Sequence, residues 1–358
     1  MKNVVFRADS SDQIGTGHVM RCLTLAKEMR RLNVSAIKFA SRELQGNVNE
    51  FIEESGFDVV GIGDNEVFDL ETDAEQTTKT LSKFEKTLLV VDHYDITEIW
   101  IRKIRKSNNN VFIFMIDDLV NRVLPVDALL NQNYLPDLSS RYSELVPPDC
   151  RLFLGPKFAL LRNEFYRAKK TLIDSSKRES IFVFFGGTDP TSETLKAMPA
   201  LKALSKYCDI DLIVGKSNQN KSEIERQTSS TKNLNFHCQV SNISDFLAGA
   251  RFAIGAGGST GLERLFFLLP TITIITAENQ IEATGHYDSR GLIKNLGWHN
   301  SVTADDIYHA SLELIRNPAL IADYQKKMND VKVGSRGATY VVRQIQTFFS
   351  SKNQVTSS

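Results

Sequence analysis

Along this chain short apolar runs alternate with longer stretches whose apolar positions recur at helical spacing. Residues 4–6 predict a first strand. Residues 18–32 predict a helix, with apolar positions at Met20, Leu23, Leu25, Ala26 and Met29. Strand 36–39 and helix 48–54 repeat the order. Strands are expected at 59–62, 88–91, 111–116 and 128–130, with helices over 74–86 and 96–106. The pattern pauses across 162–179, where a helical stretch over 164–172 runs into the polar segment Asp174-Ser175-Ser176-Lys177-Arg178-Glu179. It restarts with strands at 181–185, 210–214, 234–236, 252–254 and 271–275. The helices between and after them are expected at 191–206, 220–228, 243–249, 259–268 and 281–293, with a last one over 334–350.

Strands buried on both faces read as continuous apolar runs rather than as alternation. The β–α order therefore predicts an α/β protein with open parallel sheets covered on both sides. The break divides it into a first Rossmann-like domain over 1–162, a linker at 163–178, and a second Rossmann-like domain over 179–330. A C-terminal helical segment over 331–350 and a polar tail over 351–358, expected to be disordered, complete the chain.

The totals narrow the partners. The chain has 358 residues, 42% hydrophobic and 24% charged, enough for two cores. Lysine plus arginine and aspartate plus glutamate are each 43, so no basic excess points to nucleic acid. No apolar run approaches the roughly 18 residues of a membrane span. The first residues enter a strand pattern without a signal-peptide core, so a cytoplasmic location is expected. Cys22, Cys150, Cys208 and Cys238 lack Cys-x-x-Cys spacing and suggest neither zinc nor disulfides.

Ligands of open parallel sheets bind beyond the carboxyl ends of the strands, so the loops that follow strands carry the candidate chemistry. The first, Asp9-Ser10-Ser11-Asp12-Gln13-Ile14-Gly15-Thr16-Gly17-His18, opens a helix. Gly15 and Gly17 permit close backbone approach. It is not a dinucleotide fingerprint, since the third glycine is missing. His18 falls in the first helical turn, where the helix dipole disfavours imidazolium and suits a general base. The bland alternative is a histidine that only caps the helix. Asp92-His93-Tyr94-Asp95 follows the strand at 88–91; its polar groups either face a site or cap the next helix. Asp117-Asp118 follow the strand at 111–116 as paired carboxylates or as surface turn residues, the latter reading fitting Asp117 better.

The second domain offers two more loops. Gly186-Gly187-Thr188-Asp189-Pro190 combines two glycines and a hydroxyl with a capping aspartate and a proline at the first helical position. A plain cap accounts for Asp189 and Pro190 but not for the glycine pair, which suits phosphate. Gly255-Ala256-Gly257-Gly258-Ser259-Thr260-Gly261 runs from strand to helix and is the strongest anion-binding candidate. Glu263 lies a turn further on, placed to accept hydrogen bonds from ribose. Glu278-Asn279-Gln280 after the strand at 271–275 supplies amides.

Together these loops resemble the UDP-sugar hydrolases of pseudaminic acid biosynthesis. That family is similar in fold to the UDP-GlcNAc transferase of peptidoglycan synthesis, a GT-B enzyme. The likeness covers most of residues 4–300. It is carried by Phe6-Arg7-Ala8-Asp9-Ser10, Gln13-Ile14-Gly15-Thr16-Gly17-His18, Val91-Asp92-His93-Tyr94, Leu129-Leu130-Asn131, Ala159-Leu160-Leu161-Arg162, Phe185-Gly186-Gly187-Thr188-Asp189 and Asn279-Gln280. It implies a GT-B fold whose two domains face across a cleft, with His18 matching the family's proposed base. Gly187, Thr188, Glu263 and the 255–261 loop, including Gly257, Gly258, Ser259 and Thr260, match a uridine diphosphate site. Asn279 matches a substrate-contacting asparagine. With Gln280, Asp9, Gly15, Gly17, Asp92, His93, Tyr94 and Arg162, it makes up the expected sugar side.

Ala283-Thr284-Gly285-His286-Tyr287-Asp288 departs from the family's plainer amphipathic stretch there. The implied reaction is hydrolysis of a UDP-2,4-diacetamido-2,4,6-trideoxyhexose at the anomeric carbon with inversion. No cofactor, metal, nucleic acid or membrane partner is expected, and a monomer is. Either Asp9 or Asp92 would orient His18. The rival readings are a glycosyltransferase of the same fold, a hydrolysing UDP-HexNAc 2-epimerase and a non-enzymatic nucleotide-binding module.

Overall fold

The computed structural model describes residues 1–63, 67–81, 86–170, 177–258 and 260–355. The chain forms two compact units, Met1–Leu161 with the segment from Arg336 onward, and Arg162–Ser335.

In the first unit the elements are β1 (Asn3–Ala8), α1 (Gly17–Arg31), β2 (Ala36–Ser41), α2 (Asn49–Glu54), β3 (Asp58–Gly61) and α3 (Leu70–Leu81). They continue with β4 (Thr87–Asp92), α4 (Glu98–Ser107), β5 (Val111–Ile116), β6 (Ala128–Asn131), α5 (Leu138–Tyr142) and β7 (Arg151–Leu154). All seven strands run parallel in the order β3-β2-β1-β4-β5-β6-β7. Each apolar run feeds both faces. On one face Val4, Phe6, Leu88 and Val90 pack with Val19, Leu23 and Ala26 of α1; on the other Val5, Leu89 and Val91 pack with Trp100, Ile101 and Ile104 of α4. This two-sided burial is why the strands read as unbroken apolar segments.

The second unit contains α6 (Asn163–Lys170), β8 (Ser180–Phe184), α7 (Glu193–Leu204), β9 (Ile210–Val214), α8 (Lys221–Ser229), β10 (Leu234–Cys238) and α9 (Ile243–Gly249). Then come β11 (Ala250–Ala256), α10 (Thr260–Phe266), β12 (Thr271–Ile275), α11 (Ile281–Ser289), β13 (Lys294–Trp298), α12 (Ala304–Arg316) and α13 (Pro318–Asn329). Its parallel sheet has the order β10-β9-β8-β11-β12-β13. Both sheets thus repeat the doubly wound order 3-2-1-4-5-6, with the reversal between first and fourth strands. The last helix, α14 (Gly337–Val355), belongs to the first unit, where Val341, Val342 and Ile345 join the core beside α1.

Several elements escaped the apolar pattern. β7 and β13 are edge strands, paired on one side only, and Arg151 and Lys294 dilute their apolar character. α5, α12 and α13 were also not anticipated. The helix expected over 281–293 ends at Ser289, because the chain turns at Gly291 (φ 63°) into β13. The helix expected over 74–86 begins at Leu70 and ends at Leu81; residues 82–85 lie outside those described. So do 171–176 of the expected linker, whose 163–170 portion is α6. The segment expected as a disordered tail continues α14 as far as Val355, and 356–358 lie outside the described residues. No helix among the described residues is long and apolar enough to cross a membrane.

Candidate active site

The sheet of the first unit aligns its chemistry at one edge. Ala8 pairs with Asp92 across β1 and β4, so Asp9 and the Asp92-His93-Tyr94 segment leave neighbouring strand ends together. Asp117 and Asp118 follow the adjacent β5, and Asn131 ends β6. Strand order therefore assembles groups far apart in the sequence.

His18 sits in the first turn of α1, 9% exposed, and its Nδ1 lies 2.6 Å from Asp92 Oδ1. A carboxylate can only accept, so Nδ1 is the donor in this contact. The carboxylate that orients His18 is thus Asp92 and not Asp9. Arg21, one turn further along α1, grips Asp92 with both Nε and Nη2, the latter 2.6 Å from Oδ1. Its Nη1 reaches Asp118 Oδ2 at 2.6 Å, which also accepts from the Tyr94 hydroxyl at 3.1 Å. Asn133 Nδ2 donates to Asp118 Oδ1 at 2.9 Å. The Tyr94 ring meets His18 edge-on, centroids 4.5 Å apart. Burial pushes the Asp92 carboxyl up, but Arg21 and His18 outweigh it and hold Asp92 below the usual carboxylate range.

Asp9 anchors a second, adjoining network. Its carboxylate accepts from Arg7 Nη1 at 2.6 Å, Arg42 Nε at 2.7 Å and the Arg42 backbone N–H at 2.9 Å. Arg7 is fully buried and also pairs with Asp73, which accepts from Trp100 Nε1 at 2.8 Å. Burial raises the Asp9 carboxyl, yet Arg7 and the His93 hydrogen bond leave it far below the ordinary value. His93 Nε2 lies 3.1 Å from Asp9 Oδ2, and its Nδ1 accepts from the Asp95 N–H at 3.1 Å. His93 is thus the neutral Nε2–H tautomer, and burial lowers its affinity for a second proton despite Asp9.

The turn between β1 and α1 holds its shape locally. Ser11 Oγ accepts from the N–H groups of Gln13 and Ile14, and Gly15 takes φ 78° with its N–H bonded to the Ser11 carbonyl at 2.9 Å. Such a φ suits glycine. Gly17 opens the helix. Asp117 is not a surface turn residue. It is 1% exposed, accepts from the Tyr142 hydroxyl at 2.6 Å and pairs with Arg122 at 2.9 Å. Asp117 and Asp118 serve different partners.

In the second unit the loop after β8 and the loop after β11 leave adjacent strands. Gly186 takes φ 110°, and Thr188 is buried. Asp189 caps α7 by accepting from the N–H groups of Glu193 (2.9 Å) and Thr194 (2.8 Å). Pro190 is not the first helical residue: the chain makes a turn through Ser192 (φ 59°) before α7 begins at Glu193. Gly215, after β9, was not singled out in the sequence, yet a Cβ there would collide with the Gly187 backbone.

Gly255 and Gly257 answer first to packing. A side chain on Gly255 would strike the Phe184 carbonyl, and one on Gly257 the Thr284 hydroxyl. Gly258 faces the Gln280 amide, and Thr260 begins α10; Ser259 lies outside the described residues. Glu263 is raised by burial against the pull of Arg162, whose Nη2 lies 3.8 Å away. Arg162 therefore joins the Glu263 side rather than the His18 network. Asn279 is exposed in the short turn after β12, while Gln280 folds back so that its Oε1 accepts from the Thr276 N–H at 3.0 Å.

The structure thus gathers His18, Asp92, His93, Tyr94, Asp9 and Asp118 in the first unit, and adds Arg7, Arg21, Arg42 and Asn133. The added arginines carried one sequence signal: Arg21 falls three residues after His18 on one helical face.

No family model matches the chain. It is 30% identical over 277 residues to the UDP-2,4-diacetamido-2,4,6-trideoxy-beta-L-altropyranose hydrolase of Campylobacter jejuni, covering 77% of this chain and 93% of that protein. It is 26% identical over 293 residues to an uncharacterized protein of Methanocaldococcus jannaschii, covering 78% of this chain but spanning only 57% of that relative's length. Among solved structures, Acinetobacter baumannii MurG superposes with a TM-score of 0.66 at 12% identity, over 97% of this chain and all of MurG. The co-structure of Staphylococcus aureus MnaA with UDP gives 0.60 at 12% identity, over 98% of this chain and 97% of that one. These superpositions, with the two parallel Rossmann-like sheets, show the GT-B fold. With nearly the full length of the Campylobacter protein aligned at this identity, the chain belongs to the family of the UDP-2,4-diacetamido-2,4,6-trideoxy-beta-L-altropyranose hydrolases.

Proposed function

We propose that this chain is a metal-independent UDP-sugar hydrolase acting on a UDP-2,4-diacetamido-2,4,6-trideoxyhexose in pseudaminic acid biosynthesis. The observation that carries the reading is the line Arg21–Asp92–His18, which commits Nδ1 as donor and leaves Nε2 as the base. Nε2 takes a proton from water as the water oxygen bonds to the anomeric carbon. The bond from that carbon to the β-phosphate oxygen breaks, and its electron pair leaves with UDP. Attack opposite the leaving group inverts the anomeric centre, and the proton on His18 passes to solvent. UDP is a good leaving group, so the reaction needs no strong general acid and no pair of glycosidase-type carboxylates.

Tyr94, Asp9, His93, Gly15 and Gly17 then form the sugar side in the first unit. In the second, Gly187, Thr188, Gly257, Gly258, Ser259, Thr260 and Glu263 bind UDP, with Arg162, Asn279 and Gln280 as further contacts. Membership of the hydrolase family supports this assignment of substrate.

The test is incubation with the UDP-sugar alone. Wild-type protein should release UDP without any acceptor, and His18→Ala should lose at least about 100-fold in turnover. In 18O-labelled water the label should appear on the sugar; label on UDP would mean attack at phosphorus. UDP release only on adding an acceptor would make the chain a glycosyltransferase, and an altered C2 configuration in the product an epimerase.

A further inference from the structure

The buried charges at the sheet edge of the first unit pair off unevenly. Arg7 and Arg42 are matched by Asp9 and Asp73, and Arg122 by Asp117. Arg21 faces two carboxylates at once. Its Nε and Nη2 form a fork on Asp92, and its Nη1, on the other side of the guanidinium, meets Asp118 Oδ2 at 2.6 Å. The Arg21 side chain is 7% exposed and that of Asp118 10%. The other donors to Asp118, the Tyr94 hydroxyl and Asn133 Nδ2, bring no charge. Among the described residues, the cations paired with Asp92 and Asp118 are Arg21 and, when protonated, His18. While His18 is neutral, the cluster therefore carries one carboxylate beyond what Arg21 matches. An unmatched buried charge is costly, so a surplus held beside a histidine points to the cation it meets.

His18 is the group that changes the count. Asp92 at the end of β4 accepts from its Nδ1, Tyr94 turns a ring edge to it, and His93 lies between those two in the same turn. Arg21 and Cys22 share α1 with it. Burial raises the Cys22 thiol and lowers His93, so both stay neutral near pH 7. Once His18 takes a proton, two cations surround Asp92. With Asp92 alone the cluster would then hold an unmatched positive charge; with Asp118 it becomes neutral.

We propose that Asp118 is a positioning residue whose carboxylate, acting through Arg21, supplies the counter-charge for His18 once His18 holds a proton. It acts at one remove. By engaging Nη1 it shares the pull of Arg21, and Asp92 remains available to the imidazolium. The catalytic consequence rests on the reading of His18 as general base: proton abstraction from water creates that imidazolium, so the same charge lowers the barrier.

The titration of His18 tests this without substrate. In the full chain labelled at histidine, NMR follows the His18 ring against pH, its signal identified by its loss in His18→Gln. Asp118→Asn keeps the shape and removes the charge, so protonation of His18 should move to lower pH by about half a unit or more. Asp118→Glu restores the carboxylate and should return the titration toward the wild-type position. An unshifted titration in Asp118→Asn overturns the proposal, and so does a shift that persists in Asp118→Glu, which would assign the effect to lost packing. A further measurement uses the wild-type chain, with 13C on its aspartate carboxyls. Asp118 should stay ionised while His18 takes up its proton; an Asp118 already protonated at that point overturns the proposal whether or not a variant folds. The acid limb of kcat/KM for UDP release should shift with the titration. A shifted titration in a chain whose wild type releases no UDP would sink the hydrolase reading and leave the charge assignment standing.

Discussion

The two units share one strand order and differ in what their strand ends carry. Beyond β1 and β4 the first unit concentrates ionised side chains: Arg7, Arg21 and Arg42 clamp Asp9 and Asp92 in buried pairs. Beyond β8 and β11 the second unit places glycines, an aspartate cap and one buried arginine whose partner at hand is a backbone carbonyl. On the proposed reading, the same backbone topology supports a pre-oriented proton acceptor in one copy and a close-approach backbone cradle in the other. The difference lies in the loops rather than in the sheet.

The largest expected effect breaks the charged side. Asp92→Asn keeps the shape but removes the carboxylate that fixes the His18 tautomer. Turnover of the UDP-sugar should fall by about 100-fold or more, and its pH profile should shift, which a purely structural loss would not produce. Steady-state rates across pH check this.

Arg21→Met removes the fork on Asp92 and the bond to Asp118. Stranding a buried carboxylate costs about 3–5 kcal/mol, so denaturant unfolding should show a marked drop in stability. An unchanged midpoint would mean that the network is solvated.

Glycine substitutions sharpen the contrast between the units. Gly215→Ala would drive a methyl into the Gly187 backbone, which cannot swing aside, and should cost about 1–3 kcal/mol. Gly15→Ala meets nothing within 4 Å and should cost only the left-handed strain of about 1–2 kcal/mol. Thermal melts of the two variants measure the difference between packing and conformation.

The smallest effect is acid sensitivity. Burial depresses His93 below its ordinary 6.5, so the unfolded chain takes up a proton before the folded one. Stability should decline as pH falls below about 6.5 and level off once His93 itself protonates. A steeper loss should follow below about 4 as the depressed Asp9 and Asp92 lose their advantage. His93→Gln should remove the first limb and leave the second; Tm against pH resolves the two.

Much of the architecture was legible in the local pattern of residues. Continuous apolar runs specified parallel strands buried on both faces, because only such strands need no polar side. Their spacing gave the β–α order, and the Gly15-Thr16-Gly17-His18 turn placed a histidine at a helix start. The balanced charge gave no basic excess to point to nucleic acid, and no apolar run approached the length of a membrane-spanning helix. Edge strands β7 and β13 were illegible because one-sided pairing weakens the apolar signal.

The partner of each polar group came from packing. Nothing in spacing could choose Asp92 over Asp9 for His18, since the choice depends on which strand β1 lies beside and on the Arg21 fork from the next helical turn. Asp117 read as a surface residue because its buried partners, Tyr142 and Arg122, come from later segments. The glycines of 255–258 read as ligand contacts, whereas Phe184 and Thr284 already require two of them to be bare. Pairing and exclusion are long-range properties; local pattern carries the elements, and packing assigns what each polar group touches.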